Sequence, residues 1–240
     1  MKLLFWIPLA GLAILIACEK DETMDVWPKP SKLLITIREN NRVITEFQYD
    51  DQERLIQINN YPADTIVERE FYQYDEENRL ARRVFNGGIE TYAYNPDGKL
   101  KTVHLNFDPS APVRTTSYQY RGDRIIRGII HYGGTFTGYI EYHYDLNGNT
   151  IRRVEYYDEM MMSEYRLAYD NKINPVRNLS KFPVDMVQKN NPTCSYYYIA
   201  FMSFLPPEYC TEYAYDSAEL PVLAYAGSRT FEYEYASRQE

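Results

Sequence analysis

Histidine and cysteine are scarce in this chain, at three residues each in 240. His104, His131 and His143 stand far apart, without the His-x-x-x-His spacing of a metal site. They read as ordinary strand residues, and no metal or other cofactor is expected. Cys194 and Cys210 have no neighbouring histidine or further cysteine, which argues against a zinc site. Glycine is modest at 11 residues, so the chain is not a low-complexity polymer. No Gly-x-Ser-x-Gly elbow, phosphate loop or Cys-His constellation is present. Also missing is a long helical stretch with an apolar stripe at 3.6-residue spacing.

The formal net charge is −8. A surface of that sign repels phosphate backbones and excludes nucleic acid as an expected partner. Tyrosine is abundant instead, at 25 residues. It favours strands and offers an apolar ring with a polar tip. The composition reads as all-β.

The only basic residue of the first 17 is Lys2, followed by an apolar run from Leu3 to Ile16. That run is shorter than the ~20 residues a membrane-spanning helix needs. A basic start, a short apolar core and a small residue before the cut describe a secretory signal over residues 1–17. Leu15-Ile16-Ala17-Cys18 resembles a bacterial lipobox. The resemblance implies that Cys18 becomes the mature N-terminus and carries lipid, which anchors the protein to a membrane. Glu19-Lys20-Asp21-Glu22 resembles the surface-export signal of Bacteroidetes lipoproteins. The implied location is the outer membrane, exposed at the cell surface, with a periplasm-facing anchor as the alternative. Residues 18–31 include Trp27-Pro28-Lys29-Pro30 and read as a lipidated tether and semi-rigid spacer. A single domain is expected over residues 32–240.

That domain contains a repeat. Aromatic pairs two residues apart recur in Phe47-Gln48-Tyr49-Asp50, Tyr72-Gln73-Tyr74-Asp75, Tyr92-Ala93-Tyr94-Asn95 and Tyr118-Gln119-Tyr120-Arg121. Tyr142-His143-Tyr144-Asp145, Leu167-Ala168-Tyr169-Asp170 and Tyr213-Ala214-Tyr215-Asp216 continue the series. Each pair precedes a turn and then an apolar-basic segment such as Arg54-Leu55, Arg79-Leu80 or Lys99-Leu100. Proline sets φ, glycine supplies φ > 0, and Asp or Asn satisfies nearby backbone in turns such as Asn95-Pro96-Asp97-Gly98. Each copy therefore reads as a β-hairpin. Residues i and i+2 of a strand share a face, which puts both tyrosines of a pair on one side and Gln48, Gln73, Gln119 and His143 on the other. The Asp is expected to accept backbone N–H bonds at the turn.

Over roughly Leu33 to Asp170 the chain resembles the YD-repeat family, and more closely small Bacteroidetes lipoproteins of unknown function built from such hairpins. The resemblance implies an antiparallel meander of hairpins, strongly twisted or curled into a partial barrel. A two-sheet sandwich is the alternative fold. Large YD-repeat proteins enclose a cargo, and this chain is too short for that role. The repeat fades between Asn171 and Tyr209, where Phe182 to Gln188 suggests a short helix. Ser195 to Leu205 suggests a buried strand or cap.

These features lead to a non-catalytic binding or scaffold module at the cell envelope. A surface glycan-binding accessory is the second reading, with Tyr72, Tyr92, Tyr118 and Tyr142 as the stacking candidates. The third is a hydrolase with an unrecognised carboxylate pair. The pair Glu232 and Glu234 shares a strand face and reads as an exposed edge. The partners expected are the membrane through the lipid anchor, and an envelope protein or a glycan. Cys194 and Cys210 are candidates for a disulfide, with two free thiols as the alternative. Thr65 and Ser217 follow an aspartate and precede an apolar residue, a pattern that resembles the Bacteroidetes O-glycosylation acceptor. Met160-Met161-Met162 reads as a hairpin tip.

Overall fold

A computed structural model of the chain describes residues 31–63, 66–108, 110–175, 188–200 and 208–238. The described residues contain no helix and form one 17-stranded sheet. The first strands are β1 (Lys32–Glu39), β2 (Arg42–Tyr49), β3 (Leu55–Ala63) and β4 (Ile66–Tyr74). Next come β5 (Leu80–Phe85), β6 (Gly88–Tyr94), β7 (Leu100–Asn106) and β8 (Arg114–Arg121). The middle holds β9 (Arg124–Tyr132), β10 (Thr135–Tyr144), β11 (Thr150–Tyr157) and β12 (Met160–Ile173). The last are β13 (Asn190–Ile199), β14 (Tyr209–Cys210), β15 (Glu212–Tyr215), β16 (Pro221–Ala226) and β17 (Arg229–Ser237). Each pairs antiparallel with its sequence neighbour, apart from β14 and β15, which abut at Thr211. β17 returns to pair with β1 along its length, from Lys32 opposite Ser237 to Glu39 opposite Phe231. The meander is a nearly closed barrel.

The hairpin connections fall at two rims. At one, Asp50, Asp75, Asn95, Asp145 and Asp216 open turns of a single design. The N–H of each donates to the carbonyl four residues on, and its own carbonyl accepts from the residue three on. That third residue takes a positive φ, at Glu53, Asn78, Gly98, Gly148 and Glu219. The Asp carboxylate closes the turn. Asp50 Oδ1 accepts from the N–H groups of Gln52 and Arg54, and Asp216 Oδ1 from Ala218 and Leu220. Tight turns form the other rim. Asn40-Asn41, Gly133-Gly134 and Asp158-Glu159 each place two successive residues at positive φ, the geometry that matches strand twist in two-residue hairpins. The start of β1 and the end of β17 both lie at the Asp-turn rim.

One device repeats around the wall. A register shift precedes the second tyrosine of a pair, as at Gln48/Tyr49, Gln73/Tyr74, Ala93/Tyr94, Gln119/Tyr120 and His143/Tyr144. Such bulges bend and twist a strand and so curl the sheet. The tyrosine hydroxyl then reaches back to a carbonyl in the preceding repeat. Tyr49 donates to Leu34 O, Tyr74 to Leu55 O, Tyr94 to Leu80 O and Tyr120 to Leu100 O, at 2.6–2.8 Å. Tyr169 to Thr150 O and Tyr235 to Pro221 O continue the ladder. Turn cations cover the same rings. Arg54 lies over Tyr74 at 4.9 Å, Arg79 over Tyr94 at 4.6 Å, and Lys99 Nζ over Tyr120 at 5.6 Å.

Leu34, Phe47, Leu55, Tyr72, Leu80, Tyr92 and Leu100 pack together inside the barrel, joined by Tyr233 and Tyr235 from the closing strand. Ile125, Ile130, Ile140 and Tyr142 form a second cluster. The expected alternation holds, because Gln48, Gln73, Gln119 and His143 take the opposite face from these residues. Glu232 and Glu234 are on that outer face too. Their strand is no edge, since β17 lies between β16 and β1, and Arg38 holds Glu234 at 2.7 Å. The narrowest ladder joins β13 to β14 through only Cys194–Cys210 and Ser195–Tyr209. Cys194 and Cys210 form a disulfide across it. The expected helix at 182–188 lies outside the described residues except for Gln188.

Candidate functional site

The Asp-turn half of the inner wall is filled, and the other half carries polar groups. On β4 to β6 an ion-pair cluster stands inside the barrel. Arg83 donates through Nε and Nη2 to Glu70 Oε2, at 2.9 and 2.7 Å, and through Nη1 to Glu90 Oε2 at 3.2 Å. The hydroxyls of Tyr72 and Tyr92 donate to the same two carboxylates at 2.7 and 2.6 Å. Burial and the adjacent carboxylates push both tyrosine pKa values far above the ordinary one. These phenols stay neutral and serve as donors. The two glutamates share the inner wall, and both are held by the same guanidinium.

The opposite stretch of inner wall, on β8 to β13, is arranged differently. Register places Arg153, Tyr165 and Tyr197 in one row across β11, β12 and β13. Glu155, Ser163 and Ile199 make the next row, and Tyr157 follows nearer the tight-turn rim. Arg114 on β8 sits opposite Tyr132 on β9. Its guanidinium crosses β9 and β10 on the inner side to reach Glu155 Oε1 at 3.0 Å. Arg153 Nη2 lies 3.6 Å from Glu155 Oε2. Arg114 Nε is buried with no hydrogen-bond acceptor among the described residues.

Four rings frame this polar centre and remain open to solvent: Tyr157 at 50%, Tyr197 at 47%, Tyr132 at 38% and Tyr165 at 36% relative exposure. Tyr165 and Tyr197 meet edge to face, with centroids 6.0 Å apart. Their hydroxyls have no hydrogen-bond partner among the described residues.

The tyrosines singled out from sequence for stacking sit elsewhere. Tyr72, Tyr92 and Tyr142 are only 5%, 8% and 4% exposed, and Tyr118 is half-buried with its ring against Gly128. They are core, because each belongs to a filled inward row. Tyr197 lies in the stretch expected to be a buried strand or cap, and it is open instead. Pairing distance would have helped to find the exposed set, since Tyr157, Tyr165 and Tyr197 fall outside the Tyr-x-Tyr-Asp pattern or near its fading end. His104, His131 and His143 occupy the outer faces of β7, β9 and β10. Among the described residues one group of ligand-type side chains is close enough to share an ion, Cys194, Glu208 and Cys210, and its two sulfurs are bonded to each other. Met160 is exposed beside the Asp158-Glu159 tip. Ser217 is exposed in the Asp216 turn. Cys18, Glu19, Lys20, Asp21, Glu22 and Thr65 lie outside the described residues.

No family model matches the chain, and no curated protein does so. Solved structures do. A porin-like protein from Bacteroides uniformis superposes with a TM-score of 0.54 at 14% identity, covering 87% of this chain and 99% of that one. A porin-like protein from Bacteroides vulgatus gives 0.49 at 13% identity, with 85% and 99% covered. The TcdB2-TccC3 structure matches 77% of this chain and 13% of its own, at a TM-score of 0.25 and 11% identity. The likeness to the first is one of fold: an antiparallel meander closing on itself.

Proposed function

We propose that this chain is a non-catalytic lipoprotein of the bacterial cell envelope, a binding module held by lipid on Cys18. The barrel stands in water beside the membrane. Its outer wall supports that reading. Arg38–Glu234, Arg127–Glu141 and Arg152–Glu164–Arg166 form ion pairs on the outward face. A barrel strand in lipid needs apolar residues outward, and a cation at the bilayer midplane costs about 2–4 kcal/mol. Here the outward face carries these ion pairs among its residues, while the leucines and tyrosines of the main core cluster point inward.

The observation that carries a binding role is the open aromatic surface of Tyr132, Tyr157, Tyr165 and Tyr197 around Arg114 and Glu155. The tether enters at β1, at the Asp-turn rim. The aromatic surface therefore belongs to the half of the barrel away from the anchor, where a ligand or partner can reach it. A structural role for Glu70 and Glu90, both tied to Arg83, fits the non-catalytic reading.

The test is metabolic labelling with an alkyne fatty acid, followed by protease treatment of intact cells. The proposal expects label that disappears in Cys18→Ser and a domain cleaved from the outside. An unlabelled wild-type chain would overturn the lipid anchor. Label with full protease protection would place the domain in the periplasm.

A further inference from the structure

We infer that the open inner surface of β8 to β13 binds carbohydrate, an inference that rests on the binding-module reading above. The chemistry of the surface selects the ligand class. Its exposed groups are planar rings with polar tips, and the aliphatic Ile130 and Ile140 of the same rows are buried. A wholly apolar ligand would leave the Arg114–Glu155 pair desolvated and unanswered. A polyhydroxylated ring has both kinds of surface needed. Its C–H face lies flat on a tyrosine ring, and its edge presents adjacent hydroxyls as donors and acceptors.

The polar centre suits that edge. Arg114 holds Glu155 through Nη2, and its side chain keeps some exposure to solvent. Glu155 accepts at Oε1 from Arg114, faces Arg153 across 3.6 Å through Oε2, and is still partly open to solvent. A guanidinium presents parallel donors in a fixed plane, and a carboxylate supplies the acceptors that neighbouring hydroxyls need. The edge-to-face pair of Tyr165 and Tyr197 holds one ring steady, so little side-chain freedom is lost on stacking. Tyr157 and Tyr132 continue the surface toward the tight-turn rim, which gives room for more than one sugar unit. The ligand expected is an oligosaccharide bound along the wall.

The experiment is titration calorimetry on the full mature chain with Cys18→Ser, which leaves no lipid to aggregate it. The probes are maltoheptaose, xylohexaose, mannohexaose and a hyaluronan hexasaccharide, with a Tyr-rich peptide and an anilinonaphthalene dye as non-sugar controls. The inference expects saturable binding of at least one sugar. Tyr197→Ala and Tyr165→Ala should each weaken it about tenfold. Glu155→Gln should weaken it without changing the fold, and Tyr225→Ala on the outer face should leave it unchanged. Sugar binding that survives all three inner-wall changes overturns the site. Binding of peptide or dye alone, lost in Tyr197→Ala, overturns the carbohydrate class and leaves the binding-module reading intact. No binding by any probe to a folded chain contradicts both.

Discussion

At the residue scale, tyrosine does two jobs here that leucine could not combine. Its ring fills the inner wall and its hydroxyl ties one repeat to the carbonyl of the one before. A buried hydroxyl bond of this kind contributes about 1 kcal/mol. Tyr74→Phe should therefore lower stability by about 1 kcal/mol, shifting the melting temperature by about 2–4 °C in a chain of this size. The same burial governs alkaline behaviour. Desolvation pushes Tyr94, Tyr120 and Tyr233 up to about 12, and raises Tyr49, Tyr169 and Tyr235 as well. A phenol whose folded pKa exceeds its unfolded value stabilises the fold fully below about pH 10. That contribution is lost as pH rises from about 10 through the folded value, because the unfolded chain releases protons first. A spectrophotometric titration of tyrosinate follows these buried rings directly. A late phase should coincide with loss of the β-sheet circular dichroism. A single phase near pH 10 with the sheet intact would contradict the ladder.

At the scale of the element, the hairpin with its Asp turn is the unit. Gly98 takes φ +83° and has open space where a Cβ would project, so conformation rather than crowding requires glycine there. Gly98→Ala should cost about 1–2 kcal/mol. Glu219 occupies the same turn position at φ 60°, and its exposed pairing with Lys172 contributes little. Glu219→Gly should raise stability by about 0.5 kcal/mol, the relief of strain less the added chain entropy. Chemical denaturation of both variants measures the pair. These hairpins were legible in the sequence because Tyr-x-Tyr-Asp states strand alternation and turn chemistry together within a few residues. The residues that distinguish an open inner surface from a filled one were not. Tyr72 and Tyr197 look alike in sequence, and only the register across several strands decides that one meets Leu-rich neighbours and the other Ser163 and Arg153.

At the scale of the whole molecule, closure depends on contacts between residues almost the whole chain apart. Lys32 pairs with Asp216 at 2.9 Å and Arg229 with Glu39 at 2.7 Å. Arg238 also pairs with Glu53. The short β13–β14 ladder is the seam, and the Cys194–Cys210 bond spans it. In the chain-entropy account, a loop of this size is worth about 3 kcal/mol, so the double Ser variant should be less stable by about that amount in a denaturant titration. The reach of β17 back to β1 was not readable locally, since no spacing in the sequence announces which two strands meet last. The central proposal is that this barrel, with Arg38–Glu234, Arg127–Glu141 and Arg152–Glu164–Arg166 on its outward face, stands in water. Sedimentation velocity of the mature chain carrying Cys18→Ser, in buffer without detergent, tests it most directly. A folded species with strong β-sheet circular dichroism and no detergent requirement is the predicted result. A chain that aggregates without detergent, and sediments as a folded protein–micelle complex with it, would contradict the account.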